Sequence, residues 1–453
     1  MQTSKGDFGK GSVASLIIAQ ALPLTLAQLV QLIYNVIDRI YLGHMPGAAD
    51  GVALTGVGLT FPIISLIAAF TNLFATGGAP LCAIARGKQD DERALSIEVT
   101  TLSMQIIGGI VYPLIIFTFQ KPLLYLLGAS DTTYSYASAY LGIYLLGTIF
   151  VTTGTGMSGF INLQGYASKA MLYMMAGAVI NIILDPIFIF VLNMGVAGAA
   201  LASVIAQALC CSLVLSFLFS SKAILPLRPS MLLRADYSLL KDIIPLGLAG
   251  FIMSATNCLV QAVCNKTLSI HGGDIYVGIM TIINSVREMI GLPINGITAG
   301  AQPVISYNYG AKSYKRVRRG IRFMSLTGIS YTAIMWALIL LMPRFFLSIF
   351  TSEEKLVDTG VTPLMIYFFG FIFMSLQFAS QSTFVALGKA RQSIFFSLFR
   401  KVIIVVPLTL ILPGLFNLGV KGVFLAEPIS NLLGGMASFL TMYFGTYRKM
   451  PRE

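Results

Sequence analysis

Charge is what this 453-residue chain has least of: Lys, Arg, Asp and Glu together make up 11% of it, under half of the roughly 25% of an ordinary soluble domain. Two histidines and one tryptophan supply neither clustered imidazoles for a metalloenzyme or haem site nor a base for a nucleophile. The five cysteines, Cys82, Cys210, Cys211, Cys258 and Cys264, are odd in number and lie in or beside apolar runs. That excludes a disulfide framework and reads as small buried apolar residues. An enzyme is therefore not expected, and neither is a cofactor.

What is present is apolar side chain, 56% of the residues, with a mean hydropathy of +0.82. Single cores stop growing near about 250 to 300 residues, so the surplus must face lipid, and the chain reads as a polytopic membrane protein. The net charge of +12 does not mark a nucleic-acid binder, because the basic residues fall between apolar runs rather than on one aromatic-interleaved surface. The first run, 12–42, is too long for a signal-peptide core and has no small-residue cleavage site after it, so it is expected to be retained.

Apolar stretches of about 20 residues or more occur at 12–42, 52–85, 94–118, 136–160, 168–192 and 196–220, then at 243–265, 275–307, 320–342, 361–386, 392–414 and 420–446. Between the two sets lies a cytoplasmic linker, 221–241, with Pro226, Pro229, Lys222, Arg228, Arg234 and Lys241. The expected domains are thus an N-terminal lobe 1–220 and a C-terminal lobe 242–453. Alternating the sides puts 21 Lys and Arg residues on one face, and only Arg39, Lys121, Lys266, Arg344, Lys355 and Lys421 on the other. That asymmetry predicts twelve spans with both termini cytoplasmic.

The halves are also copies. Pro23-Leu24-Thr25-Leu26-Ala27 matches Pro245-Leu246-Gly247-Leu248-Ala249 at an offset of 222, as Asn35 matches Asn257; Gly195-Val196-Ala197-Gly198 matches Gly419-Val420-Lys421-Gly422 at 224. Six spans per copy is even, so both copies enter from one side and their pseudo-twofold axis runs along the membrane normal. The expected fold is all-α, twelve transmembrane helices in two related six-helix bundles, the architecture of an alternating-access transporter. Short extramembrane parts suit a prokaryotic plasma membrane, and a monomer is expected.

Ionisable groups inside hydrocarbon cost at least about 2.5 to 3.5 kcal/mol, so each needs a partner or a purpose. Well inside the first-half spans are Asp38 and Asp185, with Glu98 near the cytoplasmic end of its span. Asp38, Asp185 and Ser203 sit at similar depth from the outer ends of spans one, five and six, and Asn181 shares a helix face with Asp185 four residues on. Pro186 leaves a helical carbonyl without its donor. An oxygen-only cluster of this kind suits Na+ or a shared proton; the alternative is that these groups merely satisfy a kink and a helix end. In the second half Arg287, Glu288, Arg400, Lys401 and Glu427 lie within spans. Three positive against two negative charges read as a structural ion-pair network, with substrate or proton binding at Glu427 or Glu288 the functional alternative. Pro23 marks a mid-helix bend, either a hinge or a static kink. Gly77-Gly78-Ala79-Pro80 and Ala299-Gly300-Ala301-Gln302-Pro303 read as close-packing sites. Tyr34, Asn35, Met253, Asn257, Met280 and Met289 are candidates for lining a substrate cleft, since flexible Met-rich surfaces suit varied ligands.

With these residues in hand the chain resembles the multidrug and toxic compound extrusion (MATE) family over nearly its whole length. The resemblance is carried by Pro23 and, fifteen residues on, Asp38 within Tyr34–Gly43; by Asn181-Ile182-Ile183-Leu184-Asp185-Pro186; by Gly195 to Ser203; and by Ala301-Gln302-Pro303 through Tyr307-Asn308-Tyr309-Gly310-Ala311. It implies two six-helix lobes, a V-shaped cleft, and cation-coupled export of amphipathic, usually cationic organic compounds. The family's N-lobe cation site falls on Asp38, Asn181, Asp185 and Ser203, a serine standing where a threonine is usual. Spans 243–265 and 361–386 lack the acidic residues of the NorM-like branch, which places the chain nearer the DinF-like side. The mechanism expected is antiport: a cation entering from outside neutralises Asp38 and Asp185, the first helix bends near Pro23, and substrate leaves. Competing readings are a flippase for lipid-linked or other amphipathic lipids, which would need a cationic cleft, and a non-transporting scaffold, for which the short loops offer no docking domain.

Overall fold

The computed structural model describes residues 7–43, 52–351, 353–415 and 418–451. The described residues form helices joined by short turns, with no strand among them. In chain order these are α1 (Val13–Gly43), α2 (Val52–Gly58), α3 (Phe61–Gly87), α4 (Asp91–Leu126), α5 (Asp131–Leu146), α6 (Thr148–Leu163), α7 (Ala167–Pro186) and α8 (Gly195–Leu218). A short α9 (Pro229–Leu232) precedes α10 (Leu240–Gly272), α11 (Asp274–Gly310), α12 (Tyr314–Leu341), α13 (Pro343–Ser348), α14 (Glu354–Phe368), α15 (Phe371–Ala386), α16 (Ala390–Leu398), α17 (Val406–Ile411) and α18 (Val420–Met442).

Ten helical stretches are long and apolar enough to cross a bilayer, and twelve if each of two bent pairs counts as one span. Those pairs are α5 with α6, bent by 57°, and α14 with α15, bent by 47°. The cause of the bend is the same in both. Gly147 and Gly370, 223 residues apart, sit at the breaks, and a Cβ on Gly147 would come within 2.5 Å of Val204, one on Gly370 within 2.7 Å of Pro428. Val204 and Pro428 are themselves matched at 224, so each bent span packs its break on the sixth helix of its own copy. The twelve-span, two-copy reading holds, and side chains such as Leu114, Val191, Ile334 and Leu410 stay exposed, as a lipid-facing surface requires.

The chain divides into two compact units, and the division is not the one the repeat alone implies. One unit holds Leu26–Gly247; the other holds Phe8–Thr25 together with Leu248–Glu453. Helix α1 thus changes unit two residues past Pro23, and α10 two residues past Pro245, where a missing N–H leaves the carbonyl four residues earlier without its helical bond. The segment 221–241 belongs wholly to the first unit. It is docked rather than free: Leu225 and Leu227 are buried, Ile224 N–H donates to Gln164 Oε1 at 2.8 Å, and Thr100 Oγ1 donates to the Asp236 carbonyl at 3.2 Å.

In the first unit Phe74, Phe160, Phe217 and Ile243 anchor one core. The second unit packs one core around Ile283, Phe368 and Phe424, and another that combines Phe8, Val13 and Ile17 with Val304, Ile321 and Phe384. The glycine pairs act as expected, for a Cβ on Gly77 would lie 2.1 Å from the Ile243 carbonyl oxygen and one on Gly300 2.5 Å from the Ala21 nitrogen. The cysteines need a correction: all five are free, but only Cys82, Cys211 and Cys264 are buried, Cys210 being half-buried and Cys258 exposed.

Candidate functional site

In the first unit the i, i+4 spacing on α7 puts Asn181 and Asp185 on one face, both buried. Asn181 Nδ2 donates to Asp185 Oδ1 at 3.2 Å and reaches Ser203 Oγ on α8 at 3.4 Å. Asp38, on the last turns of α1 and 8% exposed, lies within electrostatic range of Asp185 and of Tyr140. Asp185 Oδ2 and Asn181 Oδ1 are both buried and meet no hydrogen-bond donor among the described residues. No Lys or Arg there forms an ion pair with Asp185. Immediately after Pro186 the helix widens into a π turn, Ile187–Val191, a distortion frequent at functional sites.

Beside this cluster is a cavity of about 300 Å3 lined by Gln31, Tyr34, Tyr144, Asn181, Ser203 and Gln207 among others. Of the expected cleft residues whose side chains are described, only Tyr34 reaches it. Reading the sequence missed Tyr144 and Tyr140, whose rings stack at 6.2 Å and 14°. Their spacing of four, on the turn before Gly147, was the available signal. It also misplaced Glu98: α4 starts at Asp91, capped by Asp90, so Glu98 lies two turns in. It is fully buried, and neither carboxylate oxygen meets a hydrogen-bond donor among the described residues. Buried Arg86 donates to the Leu163 carbonyl at 2.7 Å.

In the second unit Glu427 on α18 accepts from Arg400 Nη1 at 3.0 Å and Lys401 Nζ at 3.3 Å, all three side chains being buried. Arg400 also donates to Asn431 Oδ1. Successive residues of a helix point in different directions, yet the long Arg400 and Lys401 side chains both reach Glu427, from the π-helical segment Phe399–Val405. Arg400, Lys401 and Glu427 are joined directly, and Arg287 lies within electrostatic range of Glu427 and Glu288 without a direct ion pair among the described residues. Glu288 is exposed, and no described residue accepts a hydrogen bond from Arg287. Asn257 and Met280 line a second cavity with these charges. Met253 is exposed, Met289 packs into the apolar core, and the side chain of Asn35 lies outside the described residues. The candidates chosen for one cleft thus fall at several places.

The MatE family profile matches residues 23–187 and 245–411, two segments whose starts are 222 apart and whose ends are 224 apart, the drift of the internal repeat. The chain belongs to the MatE family. It is accordingly a multi-pass transporter of the cell membrane rather than an enzyme. Multidrug export protein MepA of Staphylococcus saprophyticus is 24% identical over 438 residues, covering 96% of this MatE chain and 95% of its own length. MepA of Staphylococcus aureus is 23% identical over 437 residues, with the same coverage. Among solved structures, a MATE crystallised with MaD3S superposes with a TM-score of 0.90 at 23% identity, over 99% of this chain and 100% of the other. An outward-facing multidrug resistance MATE family transporter of the MOP superfamily gives 0.89 at 22%, with the same coverage. Both likenesses speak to the fold.

Proposed function

We propose that this MatE protein exports amphipathic, mostly cationic organic compounds from the cell by alternating access, in antiport with Na+ or H+. The observation that carries the reading is the pair of orphaned buried oxygens, Asp185 Oδ2 and Asn181 Oδ1, beside an aromatic and amide-lined cavity. Buried polar atoms are normally partnered, and carboxylate, amide and hydroxyl oxygens at Asp38, Asp185, Asn181 and Ser203 are the donor set of a hard cation. A proton shared between two carboxylates would satisfy the same atoms. The relatives named for multidrug export support the substrate class.

In this mechanism the cation binds from outside, cancels charge on Asp38 and Asp185, and α1 bends at Pro23, where the helix passes from one unit to the other. Coupling requires that the ion bind the inward- and outward-open states with different affinity. The chain works as a monomer with both termini cytoplasmic, as the Lys and Arg asymmetry supports, and on the DinF-like side of the family. The flippase reading is weaker, because the MepA relatives are named for multidrug export.

The test is efflux of a fluorescent lipophilic cation from pump-deficient bacteria expressing wild type or Asp185→Asn at matched levels, under imposed Na+ or proton gradients. Wild type should extrude dye with one of the gradients and the variant should not. Equal extrusion by both would make Asp185 structural, and no extrusion by either would remove organic cations as the substrate class.

A further inference from the structure

The second unit carries a cavity that the coupling mechanism does not use. Its volume is about 190 Å3, and its wall includes Asn257, Asn284, Arg287, Tyr367, Lys401 and Glu427, with Val260, Met280 and Val423 as apolar surface. The internal repeat identifies it. Tyr367 precedes Gly370 by three residues as Tyr144 precedes Gly147, and Glu427 stands 224 residues after Ser203, in register with the contacts of those two glycines. Tyr144 and Ser203 line the first unit's cavity, so duplication has produced one pocket in two versions.

The two versions differ in charge, since the second wall carries cations as well as acids. The position of Asp38 is taken by Val260 at offset 222, and the acid the second copy gains, Glu427, is held by Arg400 and Lys401. Arg287 lies within electrostatic range of Glu427 and Glu288. Its Nε is buried with no acceptor, and no described residue forms an ion pair with it. Glu288, the other acid of the wall, is exposed. The wall thus carries Arg287 and Lys401 with Glu427 and the exposed Glu288, beside two amides and an apolar surface, and the Arg287 Nε is the buried polar atom there that no described residue satisfies.

We infer that this cavity binds a small organic carboxylate, its oxygens taken by the Arg287 guanidinium and Lys401 and its apolar body against Val260, Met280 and Tyr367. The planar guanidinium fork matches a carboxylate in a way an ammonium does not. The apolar wall favours an organic acid over a bare halide, and drug-sized ligands need about 300 Å3 or more, so the occupant is a small acid. The inference stands apart from the coupling site of the first unit and from the identity of the exported compound.

Benzoate is the probe, with benzamide and chloride as controls, on the purified full-length protein in detergent. Benzoate should bind saturably and raise the melting temperature, and the controls should do neither. Arg287→Gln should weaken benzoate binding at least tenfold, and Arg287→Lys by less. Because Arg287 makes no hydrogen bond or direct ion pair with described residues, the unliganded Arg287→Gln protein should stay folded and lose less in melting temperature than Glu427→Gln. Cys258, exposed at the cavity, gives a second readout that needs no variant: benzoate should slow its alkylation, followed by peptide mass spectrometry. Binding unaffected by Arg287→Gln, an equal response to chloride, or unchanged Cys258 alkylation would each overturn the inference.

Discussion

Replacing Glu427 by Gln removes the one charge that holds two buried cations. A single oxygen, Oε1, accepts from Arg400 at 3.0 Å and from Lys401 at 3.3 Å, and the three side chains are only 5 to 6% exposed. In Glu427→Gln both cations stay in a low-dielectric interior with an amide between them. Removing one partner from a buried pair costs about 3–5 kcal/mol, and a unit of this size shifts its melting temperature by roughly 2–4 °C per kcal/mol. The expected drop is therefore about 6–20 °C. Trp336, the single tryptophan of the chain, lies in the second unit and donates through Nε1 to the Phe369 carbonyl at 3.1 Å, so its fluorescence follows this unit in a detergent melt. The triple variant Arg400→Met, Lys401→Leu, Glu427→Met should recover most of the loss, since well-packed apolar side chains replace such clusters at little cost. A melting temperature for Glu427→Gln within about 2 °C of wild type would refute the reasoning, because that is less than 1 kcal/mol for a unit of this size.

Two further outcomes are expected. Gly77→Val drives a branched side chain into the Ile243 carbonyl, 2.1 Å from the Cβ position, and should destabilise the first unit by about 1–3 kcal/mol or more, seen as reduced yield and an earlier melt. Asp236, in the segment outside the membrane, is held below the ordinary carboxylate range by the hydroxyl and N–H of Ser238. Its folded value lies below the unfolded one, so its contribution is complete above about pH 4 and is lost as pH falls through the folded value. The small stability difference between wild type and Asp236→Asn should be present at pH 7 and close in acid; a difference that widens on acidification would contradict the assignment.

The spans and the duplication were legible because apolar runs and repeated Pro and Gly patterns are local features of a chain in lipid. So was the Asn181 and Asp185 pair, which needs only helical periodicity. What stayed hidden depends on packing or on departures from the α-helix. Arg400 and Lys401 could not be read as partners of one carboxylate, because adjacent residues of a helix point in different directions and only the packing of α18 against Phe399–Val405 brings Glu427 within reach of both long side chains. Glu98 was placed near a span end because hydropathy begins to rise at residue 94, whereas the helix starts where Asp90 caps it. Gly147 and Gly370 looked like ordinary span residues; only their contacts with Val204 and Pro428 mark them as the places where a span breaks.

The passage of α1 and α10 from one unit to the other bears on how such a protein could arise. Phe8, Val13 and Ile17 complete a core made otherwise of second-half residues, and Ile243 completes one made of first-half residues. A polypeptide ending at the middle segment would carry three large side chains with nowhere to bury them, and the remainder would fold around a hole where they belong. Neither half is self-sufficient, and each lends the other the opening turns of its leading helix. A single copy built on this plan would close its cores only by trading those turns with a second molecule, so a chain cut at the middle segment should fold only when both pieces are present together.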